Sequence, residues 1–196
     1  MIPGTSPGTS RRANRATSRP ESTWVDRRAP AVERILDAAG SLFAERGVDG
    51  VAMGEIAAAA GCSRATLYRY FPDRPALQLA FVQREAIRVG ALVVADLAAA
   101  AGDPVTEAVL SALRHVRAAP TLAAWFRETD AGHTADLAQG SEVIEALGLT
   151  MAPDPEAARW LVRVIVSLLT VPGGNVAEER RLVERFVAPV IALTTP

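Results

Sequence analysis

Residues 54–71, GEIAAAAGCSRATLYRYF, constrain this chain more than any other stretch. They divide into two short helical patterns around a three-residue turn, Gly61, Cys62 and Ser63. The helical period puts Ile56, Ala57 and Ala60 on one face of the first pattern. It buries Leu67 and Phe71 on the second, leaving Arg64, Thr66, Arg69 and Tyr70 facing outward. Ser63 is placed to cap the second helix, its hydroxyl accepting from a free backbone N–H near Thr66. Two helices joined by such a turn form a helix-turn-helix, whose second helix can enter the DNA major groove.

The flanking sequence is helical throughout. Val32, Ile35, Leu36, Ala39, Leu42 and Phe43 recur at helical spacing, with Pro30 suited to a first turn and Gly47 closing the segment. A second helix is expected at about 52–60 and a third from Arg64. Asp73 then caps a long fourth helix that ends before Gly102, with Leu77, Ala80, Phe81, Ile87 and Leu92 in its apolar stripe. Breakers divide the remainder into helices at about 104–118, 120–131, 135–148, 155–171 and 176–193. Asp154-Pro155-Glu156 is a strong start signal, and Asn175 with Glu178 reads as a capping box. No segment alternates like a strand. The expected fold is all-α with about nine helices: residues 29–75 a helix-turn-helix head, 76–196 a larger helical domain.

Residues 1–28 are rich in Ser, Thr, Pro, Gly and Arg and hold almost no large apolar side chain. Such a segment cannot offset its ordering entropy by burial and reads as disordered. It is either a solvated leader or a basic arm touching DNA beside the groove. Charge is unevenly spread. Residues 1–75 hold 11 Arg and 8 acids, a net of +3, and residues 76–196 hold 10 Arg and 14 acids, a net of -4. The tail alone carries 6 Arg and 2 acids, so residues 29–75 come to -1. DNA affinity of the head must then rest on a few placed arginines.

Hydrophobic residues make up 49% of the chain, enough for a core without staples. The single cysteine, Cys62, allows no intramolecular disulfide, which fits a reducing, cytosolic setting. In its turn position it reads as a packing residue, with a redox sensor as the rival. No apolar leader or membrane-length apolar run is seen, so no membrane association is expected. His115 and His133 stand too far apart, without adjacent ligands, to make a metal site. No nucleophile motif, phosphate loop or dinucleotide fingerprint appears, so neither catalysis nor a cofactor is expected.

The segment 34–81, RILDAAGSLFAERGVDGVAMGEIAAAAGCSRATLYRYFPDRPALQLAF, resembles the tetracycline-repressor family of bacterial transcription regulators. The order carries the resemblance: Gly47 closing the first helix, Ile56-Ala57, the turn Ala60 to Ser63, Leu67-Tyr68, Phe71, a basic residue and Leu77. The resemblance implies that Ser63, Arg64, Thr66, Tyr68, Arg69, Tyr70 and Arg74 form the DNA-binding set. Arg64, Thr66 and Arg69 would reach base edges or nearby phosphates, since arginine pairs with both guanine acceptors and threonine meets an acceptor or a thymine methyl. Tyr68, Tyr70 and Arg74 would hold the phosphate backbone. Tyr68 as a packing aromatic and Arg69 as a solvated charge are the alternatives. Ala52 departs from the family, which often has a capping Thr or Ser there.

The last two helices carry Trp160, Leu161, Val164, Ile165, Leu168, Leu182, Phe186 and Val190, more apolar surface than one copy of this domain covers. Pairing with a second copy would make a two-fold four-helix interface; filling the internal core is the alternative. By resemblance, His115, Trp125, Phe126 and His133 would border a pocket for a small apolar effector, or else fill the core. The resulting expectation is a cytoplasmic homodimeric repressor of a palindromic operator, released by a small molecule. The alternative is a helical small-molecule-binding or scaffolding protein whose head has lost DNA specificity.

Overall fold

A computed structural model describes residues 22–126 and 141–193, apart from residues 151 and 153. Residues 1–21 of the expected tail and His133 lie outside the described residues. All regular structure among the described residues is helical. The elements are α1 (Ser22–Arg46), α2 (Met53–Ala59), α3 (Arg64–Tyr70), α4 (Arg74–Leu97), α5 (Pro104–Ala118) and α6 (Pro120–Ala123). A 3₁₀ turn (Ala124–Phe126) follows, then α7 (Glu142–Leu149), α8 (Pro155–Thr170), α9 (Val176–Phe186) and α10 (Ala188–Leu193).

Helix α1 opens at Ser22, so residues 22–28, expected within the tail, belong to it. Pro30 sits inside that helix rather than in its first turn. Proline's fixed φ is helical, but inside a helix it forfeits the bond its missing N–H would have donated and crowds the carbonyl four residues back. Four downstream starts follow the sequence signals, while α7, expected from 135, begins at Glu142 behind the cap Ser141. Asp73, Asp103, Asp154 and Asn175 each accept a backbone N–H through the side chain, at 2.8–2.9 Å. Such caps satisfy helix-end donors that otherwise need water.

Helices α1–α3 form the head, closed around Ile35, Leu36, Phe43, Val51, Ile56 and Leu67, all buried. Helix α4 runs from the head into the second domain, packing on α1, α5 and α7. Its buried stripe is Leu77, Phe81, Val82, Glu85 and Val93; Ile87 and Leu92, expected there, are about half exposed. The inward line steps mainly by four residues, and positions 87 and 92 fall off it.

The two parts share one core. Phe43 of α1, Phe81 of α4 and Trp125 of the 3₁₀ turn meet with ring centroids 5.5–5.7 Å apart, Phe81 and Trp125 stacked and Phe43 edge-on to both. Gly40 makes room for this, since a Cβ there would stand 2.8 Å from the Phe81 ring. Around the cluster, Arg84 of α4 reaches Glu33 at 3.2 Å and Asp37 at 2.8 Å on α1, and the buried Glu85 at 2.8 Å. The same helix thus anchors the head and walls the second domain.

Candidate nucleic-acid interface and interior cavity

The outward face of α3 is set by how the helix is held. Gly61 turns the chain with φ +65, a left-handed conformation open to glycine at little cost. Ser63 follows in extended geometry, and the Thr66 N–H donates to its Oγ at 3.1 Å. Leu67 is fully buried and Phe71 nearly so. Those anchors fix which side of α3 faces out: Arg64, Ala65, Tyr68 and Arg69 are exposed, spaced i, i+1, i+4, i+5.

The expected residues are not equivalent. Tyr68 is 48% exposed, so it is not a core aromatic. Tyr70 is half-buried and packs against the head core, and the Arg69 guanidinium lies 5.4 Å from its ring centroid. Thr66 is half-buried, its hydroxyl 3.0 Å from that of Ser63. Arg64 folds back over the first turn of α2, where a Cβ on Gly54 would come within 2.6 Å of its Nε and Nη2. Arg74 donates to the Val48 carbonyl and lies 3.8 Å from the Asp49 carboxylate, fastening the start of α4 to the loop after α1.

Two features escaped the sequence reading. Ala65 shares the outward face with Arg64 and Arg69. The helical period counted from the buried Leu67 would have found it, and Tyr68 with it. Helix α2 also finds a cap despite Ala52: the Glu55 carboxylate accepts the Ala52 N–H at 2.8 Å and binds Arg46 at 2.7 Å. The Ala52 N–H first, then Arg46, hold the Glu55 carboxyl below its ordinary range. With Glu55 so paired, Arg64 and Arg69 have no acid within ion-pair distance among the described residues.

The second domain holds a half-open cavity of about 530 Å3 between α4, α5, α7 and α8. Val82, Val89, Val93, Ala112, Trp125, Phe126, Leu147 and Ile165 are among its walls. Trp125 and Phe126 both border it, and Trp125 at the same time fills the core against Phe43 and Phe81. His115 is not among the lining residues, and its Nε2 is 2.7 Å from the Asp96 carboxylate. Asp96 also accepts from Ser111 and Arg114, and these bonds, Ser111 first, then His115, hold its carboxyl at about 2 instead of the ordinary 3.8.

Across α8 and α9 runs a separate apolar groove, lined by Trp160, Val164, Leu168, Leu182 and Phe186. Trp160, Leu182, Phe186 and Val190 are 38–56% exposed. Leu161 and Ile165 do not belong to this surface. Leu161 is wholly buried and Ile165 turns to the cavity, because positions 161, 165 and 169 lie on the inward side of α8 while 160, 164 and 168 lie a step around it.

Residues 35–81 match the model of the bacterial regulatory proteins, tetR family. An HTH-type transcriptional regulator of Mycobacterium tuberculosis, MT1294, is 41% identical over 181 residues, spanning 86% of this chain and 90% of that protein. This chain belongs to the TetR family of transcriptional regulators. Solved structures of TetR-family proteins share its fold. A regulator from Rhodococcus sp. RHA1 superposes with TM-score 0.62 at 24% identity, covering 86% of this chain and 99% of that one. The repressor AlkX from Dietzia sp. strain DQ12-45-1b, implicated in biodegradation of n-alkanes, gives TM-score 0.57 at 22% identity over 83% and 95%. No described helix is long and apolar enough to cross a membrane.

Proposed function

We propose that this TetR-family regulator is a cytoplasmic repressor that binds a palindromic operator as a homodimer and leaves it when a small apolar effector fills the interior cavity. The outward face of α3, with Arg64, Ala65, Tyr68 and Arg69 fixed by buried Leu67, is the observation that carries the reading. Arg64 and Arg69 supply base-edge or phosphate contacts, and Ser63, Thr66, Tyr68 and Tyr70 position the helix. Arg74 serves this face by holding the α1–α2 loop.

Two-fold symmetry follows from the groove on α8 and α9. Pairing Trp160, Leu182, Phe186 and Val190 with their copies removes a contiguous apolar patch from water. A dimer also sets two α3 helices against half-sites about one helical turn apart. Coupling runs through α4, which lines the cavity with Val82 and Val89 and grips α1 with Arg84. An effector favours release only by binding the DNA-incompatible arrangement more tightly.

The test is fluorescence anisotropy with the DNA flanking the protein's own gene, over a range of salt. Operator binding should exceed non-specific binding by about a thousandfold or more. Arg69→Ala should cost ~1–3 kcal/mol of that specific affinity. The net charge of -1 on residues 29–75 favours a second reading, a ligand-binding protein without DNA specificity. Equal affinity for all fragments, unchanged by Arg69→Ala, would establish it instead.

A further inference from the structure

The cavity's chemistry narrows what can occupy it. At about 530 Å3 it falls within the ~300–1,000 Å3 typical of small-molecule sites. Its described walls carry no charged side chain, and their polar side-chain groups are the hydroxyl of Thr150 and the indole N–H of Trp125. That hydroxyl donates to the Leu147 carbonyl at 2.7 Å. With its only hydrogen so placed, Thr150 offers a ligand nothing but lone pairs. An alcohol O–H can meet those lone pairs; an acceptor-only carboxylate or phosphate cannot.

Neighbouring charges do not help an anion. Arg84 and Arg88, on the cavity helix α4, are turned to Glu33, Asp37 and Glu85. Arg114 and His115 on α5 are bonded to Asp96. Among the described residues, a carboxylate entering the cavity would give up its water with no charged partner in return. Cavity length is set in part by Gly90 of α4, against whose backbone Leu147 packs: a Cβ there would be 2.7 Å from Leu147 Cδ2.

We propose that the cavity takes an uncharged, hydrocarbon-like molecule whose polar group, where it has one, is a hydrogen-bond donor such as an alcohol. The regulatory meaning of this site rests on the effector reading above; its ligand class does not.

Four probes with one apolar body and different heads test the class on the full chain. Dodecane, 1-dodecanol, dodecanoate and dodecanoyl-CoA would each displace the neutral dye N-phenyl-1-naphthylamine at pH 8, without DNA. Dodecanol should displace the dye at a concentration about tenfold or more below that needed for dodecanoate or the CoA ester. Gly90→Leu, which drives the flexible Leu147 side chain into the space it lines, should weaken dodecanol by about tenfold or more. Thr150→Val should erase the advantage of dodecanol over dodecane. The proposal is overturned if dodecanoate or its CoA ester matches dodecanol, if Gly90→Leu and Thr150→Val leave all four unchanged, or if neither dye nor dodecanol binds. Dodecanol that binds yet leaves the protein on its operator removes only the effector reading.

Discussion

Arg64 does its work beside a missing side chain. Gly54 lets the guanidinium lie against the first turn of α2, and a methyl group there would push on the far end of a flexible side chain rather than on backbone. Gly54→Ala should therefore fold with a melting temperature at or above that of the parent, since alanine favours helix. Its operator affinity should nevertheless change, because Arg64 must leave its place; an unchanged anisotropy titration would show that Arg64 makes no contact from there. Leu161 gives the opposite pattern. Fully buried on α8, it should cost ~2–5 kcal/mol in urea unfolding when changed to alanine, without a specific effect on dimer dissociation. Leu161 and its exposed neighbour Trp160 have similar hydropathic standing in the sequence. Only the packing of α8 on α5 and α7 separates them.

Helices were legible because their ends are written locally. Asp73, Asp103, Asp154 and Asn175 each bond a backbone N–H two or three residues on, so those starts fell where the sequence put them. Helix α1 was less legible, because Pro30 signals a start while the helix already runs from Ser22. The α2 cap was hidden for another reason: Glu55 supplies it jointly with Arg46 from a different helix. Between α4 and α5, Asp96 ties three partners together, and its lowered pKa gives a signed prediction. The stability it contributes is complete above the ordinary 3.8 and is lost as pH falls toward about 2. Asp96→Asn should then be less stable at neutral pH and lose less melting temperature than the parent between pH 5 and pH 2. Parallel melting curves would contradict the bond pattern.

For the whole molecule, the aromatic junction and the α8–α9 groove have separable roles. Phe81→Ala opens a void between head and second domain and should cost ~3–5 kcal/mol of global stability by calorimetry. Phe186→Arg places a charge on a surface 56% exposed in one copy, so the isolated fold should persist. Sedimentation should then show a monomer, with operator affinity lost through the missing second half-site and not through unfolding. A dimer that survives Phe186→Arg would move the interface elsewhere. The sequence by itself determined the helix-turn-helix and its cap at Ser63, because helical period and capping act within a few residues. Of the outward set it placed Arg64 and Arg69, while packing half-buries Thr66 and Tyr70 and leaves Ala65 and Tyr68 exposed. Tertiary structure alone decided that Ile87 and Leu92 face out, that Leu161 and Ile165 face in, that His115 turns to Asp96 and that an apolar cavity opens between α4 and α8. Each of those depends on which helices meet, and one amphipathic helix does not say which neighbour will cover it.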